Sequence, residues 1–175
     1  MADEMFIGDH VLLNVGFAAA RARLGNLAGG GVLLGASEHA YSETITGLAG
    51  AAGSVAGASQ LAGVRPGDIT EIRGRAQLPV RWEVITGGGT LFPALEADLT
   101  LTPAGEQTTV FALTGVFRPP PGLADAGLDR EIVSWFAAAA IRVFLARLAA
   151  ALMHPSGVAP ENPARHSRSA WDSLP

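Results

Sequence analysis

The stretch LDREIVSWFAAAAIRVFLARLAAALM, Leu128 to Met153, constrains this 175-residue chain most. It is built largely from Ala, Leu and Arg, good helix formers, and would make about seven helical turns. Glu131, Ser134 and Arg142 share one stripe at helical spacing. Leu128, Ile132, Trp135, Phe136, Ala139 and Val143 share another, and Val133, Ile141, Phe144 and Leu148 widen it. A helix this apolar must be covered on more than one side. Arg142 and Arg147 interrupt the apolar run and argue against an integral membrane span. The run RPPPG, Arg118 to Gly122, stops whatever element precedes the helix, because proline supplies no backbone N–H.

What precedes it reads as antiparallel strands. In Pro79–Thr86, Val80, Trp82 and Val84 share one face and Arg81, Glu83 and Ile85 the other. In Thr90–Thr102, Leu95, Ala97, Leu99 and Leu101 oppose Glu96, Asp98, Thr100 and Thr102. Pro103–Glu106 predicts a hairpin turn into a last strand over Thr108–Arg118, with Phe111, Leu113 and Phe117 on one face. Gly115 breaks that face and predicts a bend or a close approach, with the long helix as the natural neighbour. Earlier strands are expected over residues 6–15, 59–64 and 69–75. Short helices are expected over Phe17–Leu27 and Val32–Tyr41. Residues 47–58, almost all Gly, Ala and Ser, read as a loop or irregular strand that could rim a cavity. One domain over residues 1–155 and a disordered tail over 156–175 complete the expected organisation.

Composition narrows the function. Hydrophobic residues make up 49% of the chain and charged residues 16%, which suits apolar surface on both a core and an inner cavity. The net charge is −4, so no basic field draws the protein to nucleic acid. The chain has no cysteine and no lysine, which excludes thiol chemistry and a phosphate-binding GxxxxGK[ST] loop. No pair among His10, His39, His154 and His166 has metal-ligand spacing, so neither a metal nor another cofactor is implied. The acidic N-terminus does not resemble a signal peptide, and a cytoplasmic location is expected.

Strand, two small helices, antiparallel strands and a long C-terminal helix follow one another here in the order of the helix-grip fold. Through VRWE at 80–83, LFPALEADLTLTP at 91–103, TTVFALTGVFRPPPG at 108–122 and the helix that follows, the chain resembles the START-like (SRPBCC) superfamily of polyketide cyclases and lipid-transfer proteins. The resemblance covers roughly residues 5–153. It implies an α+β fold in which about seven antiparallel strands wrap the C-terminal helix, with a pocket for a hydrophobic small molecule between them. Its motifs are structural, so they speak to the fold more than to the function.

Several residues are candidates for the site. Tyr41, the sole tyrosine, and His39 lie in SEHAYSE, where either could donate a hydrogen bond or a proton at a cavity mouth. Arg81 and Glu83 share a strand face with Glu96 near them on the next strand. Facing outward they are solvated ion pairs; facing inward they would be polar anchors with perturbed protonation. Trp82, Phe92, Phe111, Phe117, Trp135, Phe136 and Ala139 would serve as core and ligand wall at once. Three functions fit: a carrier or binding protein for a lipid- or polyketide-like molecule; a cofactor-free cyclase, aromatase or dehydratase using Tyr41, His39, Arg81 and Glu83; or a homodimeric interaction module.

Overall fold

Alternation along the chain becomes a sheet with one dry face. The computed structural model describes residues 4–52, 60–120 and 127–155. In chain order the elements are β1 (Met5–Leu13), α1 (Phe17–Ala28), α2 (Gly31–Ala52), β2 (Gln60–Pro66), β3 (Thr70–Ile72), β4 (Arg75–Ile85), β5 (Leu91–Gly105), β6 (Thr108–Phe117) and α3 (Arg130–Met153). The strands form one open antiparallel sheet in the order β1-β6-β5-β4-β2, with β3 also paired to β4. This is an α+β, helix-grip-like arrangement, with six strands among the described residues rather than seven. One long β4 serves both β2 and β3 on the same edge.

β4 begins at Arg75 and runs straight through Pro79, where the sequence suggested a break. The proline is tolerated because Gly67 N–H donates to its carbonyl at 2.8 Å just where the chain leaves β2. A strand residue's N–H and C=O point the same way, so the missing N–H faces the gap between β2 and β3.

Ala76, Leu78, Val80, Trp82 and Val84 of β4, Leu95, Ala97, Leu99 and Leu101 of β5, and Phe111, Leu113 and Phe117 of β6 are all buried on the inner face. Against them α3 buries Val133, Ala137, Ile141, Phe144, Leu145, Leu148 and Leu152. This corrects the rotation of the helix. Ile132 and Trp135 point outward, the latter 66% exposed, while Val133 and Ile141 define the buried stripe. So few positions of α3 are polar that periodicity alone left its phase open. The same helix is long and apolar enough to cross a membrane, but its buried stripe is taken up by this core.

α2 is also longer than expected. It continues through Gly47 to Ala52, where the sequence suggested a loop; residues 53–58 of that segment, Pro121–Gly122 and the tail 156–175 lie outside the described residues. Tertiary packing overrides the weak helix propensity of its glycines. Gly47 faces the ring of Phe136, and a Cβ there would overlap it, so the glycine is what lets α2 lie against α3. Ser37 and Thr44 satisfy their buried hydroxyls by donating to the Leu33 and Ala40 carbonyls one turn back. Arg23 of α1 donates to the Leu152 carbonyl at 2.7 Å, supplying the cation that the last turn of α3 lacks.

Gly115 does mark a close approach, but by the neighbouring strand rather than the helix. It pairs with Ala97, and a Cβ built on it would overlap Ala97 Cβ and the Glu96 carbonyl.

Outside, the sheet carries a chain of alternating charges. Arg65 Nε lies 2.8 Å from Glu83, which also meets Arg81 Nε at 3.6 Å. Arg81 Nη1 reaches Glu96 at 3.5 Å, Glu96 accepts from Arg118 Nη1 at 2.6 Å, and Arg118 Nη2 holds Glu4 at 2.9 Å. The row runs across β2, β4 and β5 and ties in the residues flanking β6 and β1. Hydrogen bonds to Glu96 and then Glu4 raise the Arg118 pKa above its ordinary value. With the shift upward, the folded state gains from it at every pH below the ordinary arginine range and loses it only in stronger base.

Two outcomes follow from this geometry. Gly115→Ala should destabilise the protein by about 1–3 kcal/mol, read from urea unfolding, because backbone must shift to admit the methyl group. Arg118→Met should lose about 1 kcal/mol, the modest value expected of a partly exposed pair, and the loss should shrink in about 0.5 M salt. A loss indifferent to salt would place the arginine's role in packing rather than charge.

Candidate functional site

The inner face is dry at its centre. Trp82 is 1% exposed and meets Phe144 of α3 edge to face, ring centroids 5.1 Å apart at 84°. Phe117 is buried at the same level of the sheet two strands away, Phe111 is buried nearer its other end, and Phe92 packs against the core's margin. Trp82 Nε1 is buried without a hydrogen-bond partner, the one such side-chain atom found among the described residues.

The sequence candidates separate into distinct places. Arg81, Glu83 and Glu96 belong to the outer charge row, so they do not line the space between sheet and helix. Arg81 and Glu96 border a broad depression of about 570 Å³ on the outer face, with Arg65, Asp98 and Thr114. Its arginines are already answered by neighbouring carboxylates. Trp135 stacks edge-on with Phe136 at 4.9 Å; Phe136 faces α2, and Ala139 is half-buried. None of the three is among the fully buried residues that meet the sheet.

His39 and Tyr41 are two residues apart on a helix and therefore diverge. His39 Nε2 turns outward to Glu43 at 2.9 Å. Tyr41 turns inward, 4% exposed. It borders a recess of about 280 Å³ between α2 and β2, lined by Glu38, Tyr41, Ser42, Ile45, Thr46, Gln60 and Leu61. Tyr41, Ile45 and Leu61 provide its apolar wall, while Glu38, Ser42, Thr46 and Gln60 supply polar groups. Ile45, Thr46, Gln60 and Leu61 carried no functional signal in the sequence; they come together only because α2 continues past residue 41 and packs against β2. Among the described residues no three His, Asp or Glu side chains converge in a way that could hold a metal ion.

The recess lies at an imperfect edge of the sheet. The β2–β4 register shifts between Leu61 and Gly63, and Leu61 and Val64 stay half-buried. A bulge of this kind bends a strand away from its partner and re-aims its side chains.

No family model matches the sequence, and no curated protein matches it. Solved structures do resemble it in outline. A conserved protein from Geobacillus kaustophilus is 12% identical with a TM-score of 0.46, over 86% of this chain and 95% of that one. The Zhui aromatase/cyclase from Streptomyces sp. R1128 is 12% identical with a TM-score of 0.37, over 89% and 100% respectively. A protein from Thermus thermophilus is 11% identical with a TM-score of 0.29, over 84% and 99%. At these values the likeness is one of broad fold alone.

Proposed function

We propose that this protein is a START-like binding protein or carrier for a small hydrophobic molecule, taken up in the recess between α2 and β2. The observation that carries the reading is the lining of that recess: a buried tyrosine ring, Ile45 and Leu61 beside four polar side chains. Small-molecule sites are mostly apolar with a few polar groups that orient the ligand. The volume of about 280 Å³ is near the lower end of the ~300–1,000 Å³ usual for such clefts, which favours a compact ligand. The resemblance of the sequence pattern to the START-like superfamily supports a hydrophobic ligand but implies a pocket between the sheet and the C-terminal helix; the recess beside α2 takes that place here because Trp82 and Phe144 pack directly against each other between sheet and helix.

Native mass spectrometry of the full chain as purified, followed by solvent extraction, should recover a small apolar molecule. Ile45→Trp, which fills the recess, should abolish that association without lowering the urea midpoint. Ligand carriage unchanged in a folded Ile45→Trp protein would remove the recess from consideration.

A second reading is acid–base turnover of the bound molecule, and one observation favours it: Tyr41 and Glu38 border the same recess. A phenol beside a carboxylate could donate a proton to a carbonyl substrate. Tyr41→Phe should then lower turnover of the extracted ligand by about 10²-fold or more, with binding retained. Equal turnover in the variant would leave the carrier reading alone.

A further inference from the structure

The indole N–H of Trp82 is a buried donor with no acceptor among the described residues. Such groups are rare in folded proteins, because each forfeits its hydrogen bond to water without replacement. The buried hydroxyls do not relieve it. Among them Ser37, Thr44 and Thr109 each donate to a backbone carbonyl, of Leu33, Ala40 and Val15 respectively, and neither they nor the buried Tyr41 is a partner of the indole.

The position of Trp82 suggests what answers the donor. Its register partner on β2 is Val64, half-buried on the inner face. Leu61, which lines the α2–β2 recess, pairs with Val84, the next inner-face residue of β4 beyond Trp82. Same-face neighbours on a strand are about 7 Å apart, so Trp82 sits one same-face position along β4 from the residue that pairs with the recess-lining Leu61. Leu61 and Val64 are the half-buried β2 side chains at these two positions.

Resting on the binding reading above, we propose that the ligand is an uncharged apolar molecule carrying an oxygen acceptor, a ketone, ester or similar carbonyl, and that Trp82 Nε1 donates to that oxygen. Trp82 thereby selects oxygenated ligands over plain hydrocarbons. A carboxylate does not suit this end of the site, because no charged side chain is buried among the described residues to pair with it.

The test uses matched probes on the full ¹⁵N-labelled chain: 2-acetylnaphthalene, 2-ethylnaphthalene and 2-naphthoate. The Trp82 indole resonance is assigned by its loss in Trp82→Phe, which keeps an aromatic ring against Phe144. The ketone should bind at least tenfold tighter than the hydrocarbon, shift the Trp82 indole N–H downfield, and lose its advantage in Trp82→Phe. If that variant folds poorly, the same resonance is assigned by elimination in Trp135→Phe and Trp171→Phe, and the wild-type titration is read from it. Binding of both probes with recess amides such as Leu61 moving, but the indole N–H still, would overturn this inference and leave the binding reading intact. A naphthoate tighter than the ketone would overturn the requirement for a neutral ligand. If none of the three binds or moves the recess, the binding reading itself fails and this inference with it.

Discussion

The edge-to-face contact of Trp82 with Phe144 is where the sheet and the long helix lock together, and the rest of the molecule is arranged around it. Each ring is buried, and an aromatic pair of this geometry adds to the hydrophobic gain from the area it removes from water. Phe144 shares its face of α3 with the buried Val133, Ala137, Ile141 and Leu148, and Trp135 turns out. With that face committed, a second face is covered by α2, whose Gly47 accommodates Phe136. Arg23 then closes the far end by hydrogen-bonding a terminal carbonyl.

The two faces of the sheet consequently have different chemistry. On the helix side, charge is kept to the margins: Asp9 of β1 faces Arg142 of α3 at 3.5 Å, and Glu71 of β3 meets Arg21 of α1 at 2.9 Å. Outside, six charged side chains alternate in sign in a continuous row, so each carboxylate and guanidinium finds a partner on the surface. That division removes Arg81 and Glu83 from any chemistry between sheet and helix. It also concentrates attention on the β2 edge, where the sheet is short, its register slips and its inner side chains stay half-buried. A recess forms there because two elements meet without filling the space between them.

Much of the fold was legible. Strict alternation in LEADLTLT and in TTVFALT put Leu95, Ala97, Leu99 and Leu101 on one face and Phe111 and Leu113 on one face, and the structure buries these apolar members of both runs. The order of strand, helices, strands and long helix also stood in the sequence, because proline and glycine punctuate it clearly. Where local signals are weak, tertiary contacts decide. α2 extends beyond Tyr41 because it packs against α3, where Gly47 meets Phe136, and that partner lies at the other end of the chain. Gly115 announced a close approach but not by what. Of the candidate site, Tyr41 was named from its chemistry, whereas Ile45, Gln60 and Leu61 bear no chemical mark of their own.

The sequence by itself determined the class of element at most positions and which side chains of each strand share a face, because those follow from periods of two and 3.6 residues and from proline and glycine. Only the tertiary structure decided which face of α3 meets the sheet, which side of β4 holds Trp82 and which holds Arg81, and that α2 and β2 leave a recess beside Tyr41. A nearly uniform apolar helix has no preferred azimuth until a partner surface is offered. A strand's two faces are equivalent to the chain until one of them finds a helix to exclude water against.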